Sequence, residues 1–272
     1  MASRRSTAVQ KRRDQNRKAL RNIAIAALFI GLVGFLYVRA MLAHRSLDSE
    51  TLCPSEPASI TVLLVDVTDP MNLPQRQDFI NQLDRLRSSI PRYGKLAVYK
   101  VEPISDRLLT PIITRCNPGT AKDVSEVTGS PQQTQKLYDE KFKRPLDNAF
   151  ERMLSASGAE RSPILESIQS AALKELQSSG ADGKPRRLIV ASDLLQNTDS
   201  ISFYHGLPDP SELTTSQEFS RVRTDLTGVD VELWMLQRGD SRETQPRALP
   251  DLWDQIITKE GGNLQRVYTV SG

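Results

Sequence analysis

Two uninterrupted aliphatic runs constrain this chain more than anything else in it. One, Ile60–Val65, reads ITVLLV and ends on Asp66; the other, Leu188–Ala191, reads LIVA and ends on Ser192 and Asp193. Neither alternates with polar residues, so each is expected to be a strand covered on both faces, which is the environment of a parallel sheet packed between helices. An abrupt switch from aliphatic to oxygen-bearing side chains then marks the carboxyl end of each strand. In open α/β sheets that edge is where ligands bind. If the two runs are neighbours, Asp66 and Asp193 build one site.

The rest of the folded part fits such a sheet. Phe79, Leu83, Leu86 and Ile90 recur at helical spacing, with Pro74 at an early helical position. Residues 94–103 read as a second strand and 108–116 as a third, with Pro111 assigning the latter to an edge. The stretch 117–135 is rich in turn formers and reads as a surface loop, either a partner loop or a plain insertion. A helix is expected across 135–157, kinked or broken at Pro145. Another should open at Ser162-Pro163, hydroxyl cap then proline, with Leu165, Ile168, Ala172 and Leu176 on one face. A helix around 212–226, a strand at 229–237, a helix over 249–262 stopped by two glycines, and a strand at 263–270 complete the chain. The expected class is α/β, a doubly wound, mostly parallel sheet in three layers. Trp234 and Trp253 are either contact anchors or core residues.

Ahead of this part lies a different kind of segment. Residues 1–21 carry eight Lys or Arg against Asp14 alone, and Ile23–Val38 carries no charge. With the continuation to residue 43 it is long enough to cross a bilayer, and Arg39 can extend its stem to the interface. A cleaved signal peptide is disfavoured by Arg39 and the lack of a clean small-residue cleavage site, and a core helix by the apolar character on every face. The excess of cations before the span places the N-terminus in the cytoplasm and residues 45–272 outside, as expected of a single-pass inner-membrane protein. The expected organisation is a basic arm over 1–21, a transmembrane helix over 22–43, a tether over 44–58 and a folded domain over 59–272. Beyond residue 21 the balance is 28 of the 36 basic residues against 32 of the 33 acidic ones. That mildly acidic surface argues against nucleic acid as a partner, and the basic arm is more simply explained by topology and anionic lipid.

Cys53 and Cys116 are the only cysteines, and neither His44 nor His205 has metal-ligand spacing around it. Outside the cytoplasm the pair is expected to form one disulfide, with two buried thiols as the alternative.

With VDVTDP ending the first strand, SPILESI opening a later helix and ASD ending the fourth strand, residues 58–271 resemble the von Willebrand factor A-like (vWA) family. The resemblance implies a Rossmann-like three-layer fold and a protein-binding role. It also implies a divalent cation, Mg2+ or Mn2+, on a first-strand D-x-S-x-S motif, a loop hydroxyl and a distal Asp. Carried onto this chain, the ligand set is Asp66, Thr68, Ser162 and Asp193. Pro70 stands where the motif has its last serine, so the site is degenerate, and Asp69 is a possible auxiliary ligand. Two carboxylates and two hydroxyls completed by water suit such an ion; without one, the acids need hydrogen-bond donors. The family's third strand is antiparallel, which puts Cys53 and Cys116 together at the edge away from the metal.

The expected function is therefore a membrane-anchored binding module that docks another envelope or membrane protein, with neither catalysis nor a small-molecule substrate. One alternative is a structural subunit of an envelope-spanning assembly without metal. Another is a haloacid-dehalogenase-like phosphatase, since DVTD resembles that strand end and Lys184 could serve it. His205 lacks the surroundings of a hydrolase triad.

Overall fold

The run after Ser59 is strand β1, Ile60–Val65, with all six residues buried. It belongs to the second of two units, Met1–Ser46 and Leu47–Gly272, in a computed structural model that describes residues 3–42, 46–68, 70–104, 108–126, 129–155, 161–178, 180–238 and 245–270. The first unit is one helix, α1, Ser3–Leu42, so the basic arm and the apolar run are continuous. Within it Leu20–Val38 is long and apolar enough to cross a membrane, and its side chains are exposed throughout.

In the second unit the elements after β1 are α2 (Leu73–Ser89), β2 (Lys95–Lys100), β3 (Ile113–Cys116), α3 (Pro131–Leu137), α4 (Arg144–Ser155) and α5 (Ile164–Ala171). They continue with β4 (Arg186–Ser192), α6 (Pro210–Thr215), α7 (Gln217–Val222), β5 (Val229–Leu236), α8 (Leu249–Lys259) and β6 (Asn263–Val270). The six strands form one sheet in the order β3-β2-β1-β4-β5-β6. β3 runs antiparallel to β2, and the other neighbouring pairs are parallel.

Alternate residues of the central strands feed two apolar layers. Val62, Leu64, Val190 and Leu233 face one side, with Leu165 and Ile168 of α5 and Ile256 of α8. Leu63, Val65, Ile189 and Trp234 face the other, with Phe79 and Leu83 of α2 and Phe150 of α4. Burial on both faces is why β1 and β4 lack polar alternation. Both tryptophans belong to these layers: Phe79 meets Trp234 edge-on at 6.0 Å and Phe203 meets Trp253 at 6.2 Å.

Three local expectations need correction. The third strand is shorter than 108–116 because Pro111 offers no N–H; the ladder starts after it, and Leu109 N–H donates instead to Ser170 Oγ at 2.7 Å. Pro145 does not break its helix, since a π-helical turn, Tyr138–Lys143, joins α3 to α4 and takes up the register change next to the missing donor. The helix expected over 212–226 is two short ones, because Ser216 adopts an extended conformation and its Oγ accepts Phe219 N–H at 3.1 Å, capping a new start.

Cys53 and Cys116 are joined, with sulfurs 2.07 Å apart. Cys116 pairs with Lys95 at the start of β2, so the bridge lies at the amino edge of the parallel strands, as the resemblance implies.

Candidate functional site

At the carboxyl ends of β1 and β4 the register Val65↔Ala191 sets Asp66 beside Ser192 and Asp193. Asp66 N–H donates to Ala191 O at 2.8 Å, carrying the ladder one step past the strand. The side chain is 3 % exposed, and each oxygen has donors. Oδ1 accepts Thr68 N–H at 3.0 Å; Oδ2 accepts the Ser192 hydroxyl at 3.0 Å and the Ser162 hydroxyl in a shorter contact. It is thus the amide of Thr68, not its hydroxyl, that reaches Asp66.

Ser162 was expected to cap α5, and it does not. Its hydroxyl is committed to Asp66, and Gln196 does the capping, Oε1 accepting Leu165 N–H at 3.0 Å. The backbone of Ser162 is fastened to the loop after β4 by reciprocal bonds with Asn197, 3.1 and 2.9 Å. Two loops far apart in sequence thereby become one surface.

Asp193, 5 % exposed, sits at the head of a tight turn in which Leu194 takes a left-handed φ of 64°. This conformation costs a residue with a side chain about 1–2 kcal/mol. Local bonds offset it: Leu194 N–H to Ser192 Oγ at 2.9 Å, Leu195 N–H to Asp193 Oδ1 at 2.9 Å, and Trp253 Nε1–H to Leu194 O at 2.9 Å. Burial pushes the Asp193 carboxyl up to about 6, opposed by the Leu195 amide, reinforced by the charge of Asp66 and opposed again by Arg238.

Arg238, just past β5, faces this acid. Its Nε–H donates to Asp193 Oδ2 at 2.6 Å, an Nη2–H reaches the Tyr204 hydroxyl, and the guanidinium carbon lies 5.1 Å from the Tyr204 ring centre. Gln245 closes the corner: its Nε2 donates to Asp193 O at 2.9 Å and Leu236 O at 3.0 Å, while its Oε1 accepts Arg238 N–H at 3.2 Å.

A mostly parallel sheet with one antiparallel edge strand, its first and fourth strands side by side and delivering their terminal acids to one rim with a loop serine between them, decides the architecture. The fold is vWA-like. Comparison with protein-family models and with curated proteins gives no match. Among solved structures the chain is similar to the VWA domain of SpRpn10, with 9 % identity, 78 % of this chain and 87 % of that one covered, and a TM-score of 0.39. It is also similar to BatB, a conserved hypothetical protein of Bacteroides thetaiotaomicron (10 %, 78 % and 91 %, 0.36). A further match is proximal thread matrix protein 1 of the mussel byssus, solved with zinc in its MIDAS motif (14 %, 80 % and 45 %, 0.35).

Of the ligand set carried over from the family, Asp66, Ser162 and Asp193 converge in this vWA-like domain, Thr68 stands over Asp66 through its amide, and Asp69 lies outside the described residues. As arranged, these donors do not fit a divalent cation. Mg2+ or Mn2+ would need an oxygen from each acid, and on Asp193 that oxygen, Oδ2, already holds the positively charged guanidinium of Arg238, which repels a second cation. Pro70, at the third motif position, is exposed. Among the described residues no cluster of three or more His, Cys, Asp or Glu side chains offers another metal centre.

Lys184 does not complete a phosphatase site. It precedes β4, at the edge opposite Asp66, and its Nζ donates to Gly180 O at 2.6 Å. Sequence reasoning missed Arg238, Gln196 and Gln245. A signal existed for the first: a lone base directly after the strand next to an acid-ending one.

Proposed function

We propose that residues 47–272 are an extracytoplasmic protein-binding module, tethered by α1, which docks a partner protein through the loops at the Asp66–Asp193 rim. The single observation that carries this reading is the apolar crest on that rim. The chain after Thr68 passes through exposed Pro70 to Leu73, which is 82 % exposed at the first position of α2. Asn72 caps the helix there, with its Oδ1 accepting Gln75 N–H at 2.8 Å, and the Gln75 amide donates to Gln237 O beside Arg238. Leu73 is therefore held at the start of a helix that is tied to Gln237, next in the chain to Arg238, and a fixed, exposed apolar side chain there supports a contact anchor. The cations ahead of the apolar run and the Cys53–Cys116 disulfide support placement of this unit outside the cytoplasm.

The test is photo-crosslinking in intact membranes from the full-length chain, with the probe at Leu73 or Thr68 and, as control, at Lys184 on the opposite edge. Both rim probes should yield the same discrete protein adduct, and Leu73→Asp should abolish the one formed from Thr68. Adducts of equal yield from Lys184, or none from the rim, would overturn the assignment.

A further inference from the structure

We propose that Arg238 is the resident cation of this rim: it holds the place a divalent ion would take, so the module works without metal, and its removal uncovers a latent Mn2+ site. The inference concerns only the rim's charge and stands whether or not a partner docks there.

The need for a positive charge follows from the acids. Asp66 and Asp193 are both buried, bridged by the hydroxyl of Ser192, which lies 3.0 Å from one carboxylate and 3.3 Å from the other. Two neighbouring carboxylates in such surroundings repel each other and need compensation. In a metal-loaded rim the ion would supply it; here a guanidinium, charged at every accessible pH, is already in contact with Asp193 Oδ2.

The arginine is placed, not swung in from solvent. Its side chain is fixed at Asp193 and Tyr204, and its own amide is tied through Gln245 to the main-chain carbonyl of the acid it neutralises. A divalent ion would therefore have to break the ion pair and displace the guanidinium from Asp193 Oδ2. Once the guanidinium is gone, two carboxylates and the Ser162 and Ser192 oxygens lose its charge, and a hard cation suits that oxygen set. Removing one member of a buried pair leaves a charge that demands a new partner.

Mn2+ is the probe, followed by loss of its free-ion electron paramagnetic resonance signal as full-length protein in detergent is titrated. Wild type should bind no Mn2+ at this site. Arg238→Ala should bind one ion at least about tenfold more tightly than wild type, and Arg238→Ala combined with Asp66→Asn should lose it. Arg238→Met, similar in length and uncharged, carries the same test if the alanine variant fails to fold. Wild-type Mn2+ binding that disappears in Asp66→Asn would overturn the proposal. So would a folded Arg238 variant with no gain.

Discussion

Ser162 stands 96 positions beyond Asp66 in the chain, yet its hydroxyl donates to Oδ2 of that carboxylate in the protein interior. With Ser192 and the Thr68 amide it gives Asp66 three donors, so the acid stitches the start of α5 to the end of β1. Truncating the acid leaves the buried Ser162 hydroxyl and the half-buried Thr68 amide without an acceptor, and Ser192 with only its longer contact to Asp193. Asp66→Ala should therefore cost about 2–4 kcal/mol in urea unfolding, and Ser162→Ala only about 1 kcal/mol, because Asp66 then keeps two donors. Equal losses would mean that the network does not act through Asp66.

Asp193 gives a pH dependence whose sign is unusual for a carboxylate. Its folded-state value, about 6, lies above the ordinary 3.8, so the folded protein holds this proton more tightly than the unfolded chain. The contribution of this group to stability is greatest below about pH 4, falls as pH rises through about 6 and is flat beyond, over a range on the order of 3 kcal/mol. Stability profiles of wild type and Asp193→Asn should diverge within that window and run parallel above it. A difference constant with pH would show that burial does not raise this group.

The disulfide closes a loop of 63 residues' separation. In the chain-entropy model a closure of that length stabilises by about 4 kcal/mol. Cys53→Ser with Cys116→Ser, or reduction, should lower the urea midpoint correspondingly while leaving the far-ultraviolet circular dichroism of the native state unchanged. No shift on reduction would contradict the bridge.

Trp253 is a core residue with one polar duty, its Nε1–H holding the carbonyl of Leu194 in the left-handed turn after Asp193. Trp253→Phe should lose about 1–3 kcal/mol, most of it from the unsatisfied carbonyl and the lost volume. Cross-peaks of Leu194 and Leu195 should move in amide nuclear magnetic resonance spectra. Cross-peaks from the opposite edge, around Cys116, should not.

How much of this was legible in the sequence depended on whether a feature leaves a local trace. β1 and β4 were readable because burial on both faces removes polar residues from a short run, and the acids at their ends because the change of chemistry is abrupt. The cysteine pair needed only counting. Ser162 carries a misleading local trace: a hydroxyl before proline normally caps a helix, and here a distant carboxylate outcompetes the local amide while Gln196 covers the gap. Arg238 left no periodic mark. It becomes visible only when the ends of β4 and β5 are set side by side, where Ser192 lies opposite Met235. The split of 212–226 turns on one serine, whose extended backbone and capping hydroxyl start a new helix where a helix-interior serine would read the same in sequence.

The sulfur bridge between Cys53 and Cys116 encloses β1, β2 and Asp66 in a covalent ring. Tension applied between a point ahead of Cys53 and any point beyond Cys116, Asp193 and Arg238 included, passes across the two sulfurs and bypasses the ring. Strand β1 then bears none of the pull along its own backbone, so under such a load the central strand stays mechanically shunted, and a reductant would switch that shielding off.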